Sequence, residues 1–266
     1  MHKHGRRTSA AALTLRKQKM KILLVGETWV IAETHIKGIT TYGTGSSVNE
    51  AAPLIDALTS AGHEVVHLGN DVALAEVPRT VEAISQYDVI LFSDVGADNL
   101  LLHPDTLVRA QRTGDFLGLL RDHVSEGAGF AMIGGWMSFS GREGKARYYG
   151  TPVADVLPVT MLGYDDRNEA PAGVTPHVTA ESPIIDGLSS EWPWFLGYNR
   201  VQAKADALTV LTFDNDPLLV TGEYGRGRSA AFTSDCTPHW AGNFVEWHGY
   251  VKFWDQLVRW LAAARA

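Results

Sequence analysis

The stretch Met132-Ile133-Gly134-Gly135-Trp136-Met137-Ser138-Phe139 has the form of a reactive turn. A buried apolar run ends in two glycines and heads for a helix. That is the local pattern of a nucleophile elbow, where glycines permit a tight turn and one side chain projects over the helix N-terminus. Covalent work would need Cys or Ser at the apex. Trp136 stands there instead, and an indole cannot attack a carbonyl. Ser138, two residues on, is placed to cap the expected helix.

The one cysteine, Cys236, lies far along the chain in Ser234-Asp235-Cys236-Thr237-Pro238-His239-Trp240. A Cys–His pair can generate a thiolate, which makes Cys236 and His239 catalytic candidates with Glu27 or Asp235 as the third group. The plainer alternative is a small buried thiol and a loop histidine. Cys-x-x-His is too small a set for zinc unless Asp235 or a distant histidine joins it, so no metal and no cofactor are expected. Glu27 follows the first apolar run, where a lone carboxylate can hold a ligand hydroxyl, act as a base or cap a loop. Asp94 and Asp98 flank Gly96 after another run. Trp29, Trp136 and Trp240 all follow expected strands and can wall a sugar or planar ligand. The expected ligand-binding set is Trp29, Asp94, Gly134, Gly135, Trp136 and Ser138. Arg142, Lys145 and Arg147 are either surface residues or an anion site beside the elbow. The run Asp165-Asp166-Arg167-Asn168-Glu169 reads as a solvated loop with local ion pairs.

The elements that must position these groups follow from hydrophobic patterning. Lys21–Gly26, Glu64–Leu68, Asp88–Ser93 and Gly129–Gly134 are short continuous apolar runs, the signature of buried strands. Helical spacing intervenes from Val48 to Leu58 (closed by Gly62), from Pro78 to Ser85 and from Pro104 to Val124. Glu27 to Gly45 reads as a long loop. Strand–helix alternation with strands apolar on both faces implies a parallel sheet covered on both sides, with its ligand crevice beyond the strands' carboxyl ends. Later, Val174–Thr179 and Ala207–Phe213 read as strands. Leu218–Glu223 and Ser229–Ser234 form a hairpin around a glycine turn. From about Asn243, Phe244, Trp247, Val251, Trp254, Val258 and Leu261 mark one face of a closing helix.

The 266 residues are 45% hydrophobic and 20% charged, enough for a sizeable core. A single cysteine excludes an internal disulfide framework and fits a reducing, cytoplasmic setting. No apolar run approaches the ~18 residues of a membrane span. The net charge of −7 argues against nucleic acid as the main partner. Lys3, Arg6, Arg7, Arg16, Lys17 and Lys19 give the first 19 residues an acid-free basic character. The reading is a disordered basic extension over 1–19 and a single domain over 20–266, with Met20 as an alternative start and a transit peptide as the competing view of the tail.

With these residues in view, the chain resembles the class I glutamine amidotransferase-like superfamily, and within it an uncharacterised bacterial branch. The resemblance rests on Gly26-Glu27-Thr28-Trp29, Ser93-Asp94-Val95-Gly96-Ala97-Asp98, Ile133 to Phe139, Thr151 to Val159, Asp165-Asp166-Arg167 and Thr233 to Trp240. It implies an α/β three-layer sandwich of flavodoxin-like type with a mainly parallel central sheet, extended by the C-terminal hairpin. Active members use Cys-His-Glu, with cysteine at the elbow. Trp136 replaces that cysteine, and the late strand ends in Asp-Cys-Thr-Pro-His rather than His-x-Glu, so no triad residue carries over. The expectation is a pseudoenzyme without glutaminase activity that binds a small polar molecule, with no nucleic acid, no membrane and a possible homo-oligomer. The alternatives are a hydrolase or transferase using Cys236 and His239, or a non-catalytic oligomerisation module.

Overall fold

The computed structural model describes residues 19–265; the expectations for residues 1–18 lie outside the described residues. In chain order the strands are β1 (Lys21–Gly26), β2 (Thr28–Lys37), β3 (Thr40–Asn49), β4 (Glu64–Leu68), β5 (Val89–Ser93), β6 (Gly129–Ile133), β7 (Val159–Met161), β8 (Arg167–Val174), β9 (His177–Val178), β10 (Phe195–Asn199), β11 (Val201–Ala203), β12 (Leu208–Phe213), β13 (Asp216–Tyr224) and β14 (Gly227–Phe232). The helices are α1 (Ala52–Ser60), α2 (Asn70–Glu76), α3 (Val81–Ile84), α4 (Asp98–Leu101), α5 (Pro104–Arg109), α6 (Phe116–Ser125), α7 (Pro152–Val156) and α8 (Tyr250–Ala262).

The apolar runs pair as their burial requires. β4, β1, β5, β6 and β14 lie side by side and parallel, and the sheet continues through antiparallel β13, β12 and β9. Alternate side chains of β1 enter two separate cores: Ile22 and Leu24 join one, Leu23 and Val25 the other. α8 closes the first core with Phe253, Trp254, Leu257, Val258 and Leu261. α6 closes the second with Phe116, Leu117, Leu120 and Val124. Each such side chain contributes roughly 1.5–3 kcal/mol by leaving water. Among the described residues, no helix is long and apolar enough to cross a membrane.

Three sequence expectations change. The supposed loop from Glu27 to Gly45 is most of a two-stranded ribbon: β2 and β3 pair antiparallel over ten residues each. Its Gly, Thr and Ser content hid the strands. The helix expected from Pro104 to Val124 is two helices, because Ala110 turns left-handed at φ 52° to end α5 and Asp115 caps α6 through Leu117 N and Gly118 N. The closing helix starts at Tyr250 rather than Asn243. Phe244 still reaches the core, stacking on Phe232 at 5.8 Å, but from a turn.

Candidate functional site

Parallel pairing sets β1, β5, β6 and β14 in register at one edge: Gly26 opposes Ser93, Ser93 opposes Ile133, and Ile133 opposes Phe232. The loops that follow therefore leave from a single line, where open α/β sheets form their crevice. β14 runs parallel to β6, which brings Asp235 to His239 to the same edge as Glu27 and Asp94. The chain turns sharply there. Glu27, Asp94 and His239 all have positive φ, at 59°, 45° and 86°. Left-handed non-glycine residues cost on the order of 1–3 kcal/mol each and persist only where neighbours hold them. At Gly26 a Cβ would sit 1.7 Å from the Ser93 carbonyl oxygen, so no other residue fits between the two strands.

The elbow turn forms, but the helix expected behind it does not. Beyond Gly135 (φ 150°) the chain makes turns and one 3-10 turn at Arg142–Gly144, and the next α-helix is α7. Side chains take the N–H groups that a helix would have aligned. Gly135 N donates to Asn199 Oδ1 at 3.0 Å, and Met137 N to Asp94 Oδ1 at 2.6 Å. Ser140 N and Gly141 N donate to the two oxygens of Asp166 at 2.8 and 2.9 Å. Asn199 Nδ2 also donates to Asp166 Oδ1 at 2.8 Å. Ser138 caps no helix; its hydroxyl is buried and accepts the Asp94 N–H at 3.1 Å. The charge run at 165–169 splits. Asp165 pairs with Arg167 at 2.8 Å as expected, and Arg167 holds its carboxyl well below the ordinary range. Asp166 is fully buried, and burial raises its pKa. Asp166 stood in the sequence only as part of a charge run and of the family motif, and Asn199 carried no signal, because each acts through residues distant in the chain.

Behind the turn lies a buried cluster. Ser93 Oγ donates to Glu27 Oε1 at 2.5 Å and lies 3.4 Å from Cys236 Sγ. Cys236 Sγ is 3.8 Å from the same carboxyl oxygen. Thr237 Oγ1 lies 3.3 Å from Glu27 Oε2 and 3.1 Å from Asp235 Oδ1, so one hydroxyl bridges two carboxyl groups. Burial above all, then the charge of Asp94, raises the Glu27 pKa from 4.5 to about 8. Burial and the charges of Glu27 and Asp94 push Asp235 well up, and burial raises Asp94 too. Burial, then Glu27 and Asp235, pushes the Cys236 thiol up. Carboxyls this close and this dry resist ionising together. Glu27, Asp235 and Cys236 bring donor atoms within 4.8 Å of one another, close enough for a metal ion by distance, and the same side chains bond within the cluster to Ser93 and Thr237.

Cys236 and His239 do not meet as a catalytic pair: no hydrogen bond joins them. The thiol is fully buried against Glu27, whereas the half-exposed His239 places Nδ1 4.0 Å from Asp235 Oδ2 and its ring 5.4 Å from that of Trp29. The sequence reading joined Glu27 to Cys236 only as the third group of a Cys236–His239 pair, and the elbow offers Glu27 no thiol. The structure supplies one from the loop after β14.

A cavity of about 790 Å³ opens above this cluster, walled by Trp29, Asp94, Trp136, Asp235, His239 and Trp240. Of the expected site residues, Trp29, Asp94, Trp136 and His239 face it; Glu27, Cys236, Gly134, Gly135 and Ser138 do not line it. Asp98 is outside, paired with Arg147 at 2.9 Å. Trp136 is 44% exposed and leaves the cavity open. Its ring is dressed by the guanidinium groups of Arg142 and Arg167 at 4.6 and 5.2 Å. Trp240 Nε1 donates to Glu169 Oε2 at 2.9 Å. Asp94 and Asp235 each use Oδ1 as an acceptor, and neither Oδ2 accepts a hydrogen bond.

Comparison with known proteins places the chain as a whole. A cytoplasmic protein of Salmonella typhimurium, STM3548, superposes with a TM-score of 0.88 and 37% identity, over 91% of this chain and 99% of that one. A second, STM1381 from Salmonella typhimurium LT2, gives 0.87 and 39% over 91% and 99%. A ThuA-like protein of Bacteroides uniformis shares the fold alone, with a TM-score of 0.53 and 11% identity over 91% of each chain. No curated protein matches. Residues 21–263 match the model of the GATase1-like family, described as "Putative glutamine amidotransferase", and the chain belongs to that family.

Proposed function

We propose that this protein binds a small polar ligand in the cavity at the strand ends and does not hydrolyse glutamine. The observation that carries the reading is the open cavity of about 790 Å³, in whose wall Asp94 and Asp235 each keep an oxygen without a hydrogen bond. Both residues line the cavity, so a ligand amino or hydroxyl group can donate to these oxygens. The indoles of Trp29 and Trp240 supply apolar wall for the rest of the ligand. Glutaminase chemistry has no nucleophile: Trp136 occupies the elbow apex, and the Cys236 thiol is buried, neutral and away from His239. The same geometry counts against a hydrolase built on Cys236 and His239.

The test is a thermal-shift screen of amines, sugars, nucleotides and carboxylates, with ammonia release from glutamine measured in parallel. A compound at about a hundred times its Kd stabilises the fold by ~2.7 kcal/mol. Asp94→Asn, Asp235→Asn and Trp136→Ala should each shrink that gain. A shift that survives all three puts the ligand elsewhere, and ammonia release above the protein-free control overturns the inactive assignment.

A further inference from the structure

Acids gather at the base of the cavity without a counter-charge. Glu27, Asp94 and Asp235 arrive there from the loops after β1, β5 and β14. Burial raises all three pKa values; the charge of Asp94 adds to this at Glu27, and the charges of Glu27 and Asp94 add to it at Asp235. Among the described residues, no lysine or arginine is among the groups that act on them. The basic group that does is the half-exposed His239, whose Nδ1 is 4.0 Å from Asp235 Oδ2. Acids nearby are served differently. Asp98 has Arg147 at 2.9 Å and Asp165 has Arg167 at 2.8 Å. Glu169, in the same cavity wall, has Arg167 Nη1 at 3.5 Å and the Trp240 indole N–H.

Asp235 is the sharpest case. It is 5% exposed, it lines the cavity, and its Oδ2 accepts no hydrogen bond. Asp94 Oδ2 accepts none either and belongs to the same wall. Carboxyls with so little water are ordinarily paired, and here the chain supplies no cation to pair them.

The walls fit a positive ligand with an apolar body. Trp29, Trp136 and Trp240 stand around the cavity with Met137, Pro171 and Leu196. Indole faces attract cations, and Trp136 already holds the guanidinium groups of Arg142 and Arg167 at 4.6 and 5.2 Å. Arg142 is the wall's one arginine, and Glu143 lies 3.7 Å from it. An anion would meet the carboxyls of Asp94, Glu169 and Asp235 instead. The volume of about 790 Å³ suits a small molecule.

We propose that the ligand is an organic cation, a primary amine on an apolar body, whose ammonium group donates to the Oδ2 atoms of Asp94 and Asp235 and whose body lies against the indoles. This rests on the binding reading above and names its ligand class. An ammonium group has three donors and no acceptor, which matches two carboxyl oxygens that only accept.

The experiment is isothermal titration calorimetry on the full chain at pH 7 with three compounds of one shape: benzylamine, a cation; benzyl alcohol, neutral; and benzoate, an anion. Benzylamine should bind about tenfold or more tightly than benzyl alcohol, and benzoate more weakly than either. Asp94→Asn and Asp235→Asn keep the size of the side chain and lose its charge. Each should weaken benzylamine about tenfold while leaving benzyl alcohol within about threefold, with folding checked by circular dichroism. Equal affinity for amine and alcohol, or tighter binding of benzoate, overturns the cation and leaves the polar-ligand reading standing. Benzylamine affinity retained in both variants overturns it too, because the ammonium group then lies elsewhere. If none of the three binds at millimolar concentration, the amine assignment falls, and the wider thermal-shift screen decides the polar-ligand reading separately.

Discussion

Glu27 and Val30 are three residues apart and live in opposite environments. Glu27 is 1% exposed, held by Ser93 and Thr237 beside a thiol; Val30 is 70% exposed on a ribbon anchored to the body only at its root, through Thr28 and Trp29. Both follow the same parallel strand. The first turns inward and exchanges water for side-chain hydrogen bonds from two other strand ends. The second turns outward and satisfies its backbone through β3 alone. Inward positions depend on the whole sheet being assembled, and outward positions depend only on their neighbour. Substitutions in the two regions should therefore differ sharply in cost.

Asp166→Ala should be the most damaging. It removes the acceptor for Ser140 N, Gly141 N and Asn199 Nδ2 in a buried turn. Buried donors left without a partner cost ~1–3 kcal/mol each, so the loss should be about 3–5 kcal/mol by urea unfolding. A loss below ~1 kcal/mol would show that the turn is not pinned from Asp166. Glu27 sharpens the contrast through pH. Its folded pKa is raised from 4.5 to about 8, so between those values the folded state keeps a proton that the unfolded state gives up. Stability should fall as pH rises from ~4.5 to ~8. In Glu27→Gln that part of the slope should vanish; an unchanged pH profile would place the proton on another group.

Cys236 probes the same floor by reactivity. With a buried thiol of raised pKa, iodoacetamide at pH 7 should label it only as fast as the protein opens, and at once in urea. Rapid labelling of the native protein would mean an accessible thiolate and would revive the catalytic reading of Cys236. The smallest effect belongs to the ribbon. Val30→Thr, measured at high dilution, should change unfolding free energy by less than ~0.5 kcal/mol. A larger loss would mean that the ribbon packs on the body of its own chain.

Much of this was legible in the sequence, for a local reason. Lys21–Gly26, Asp88–Ser93 and Gly129–Gly134 are too short for core helices and too apolar for a half-solvated sheet, which leaves buried parallel strands. Strand order then sends Trp29, Asp94, Trp136 and His239 to one edge, as the sequence expected. The ribbon was not legible. Thr, Gly and Ser in β3 carry no alternation, since neither face has a core to match.

The sequence by itself determined the alternation of strands and helices, the absence of a thiol at the elbow and the crevice edge, because each follows from residue type and spacing along one segment. Only the tertiary structure decided who meets whom at that edge. Asn199 and Asp166 displaced the expected helix by taking its N–H groups, and Cys236 came to Glu27 from 209 positions away. Such contacts are set by the register of β14 against β6 and by burial that raises the carboxyl pKa values, and neither is a property of any local run of residues.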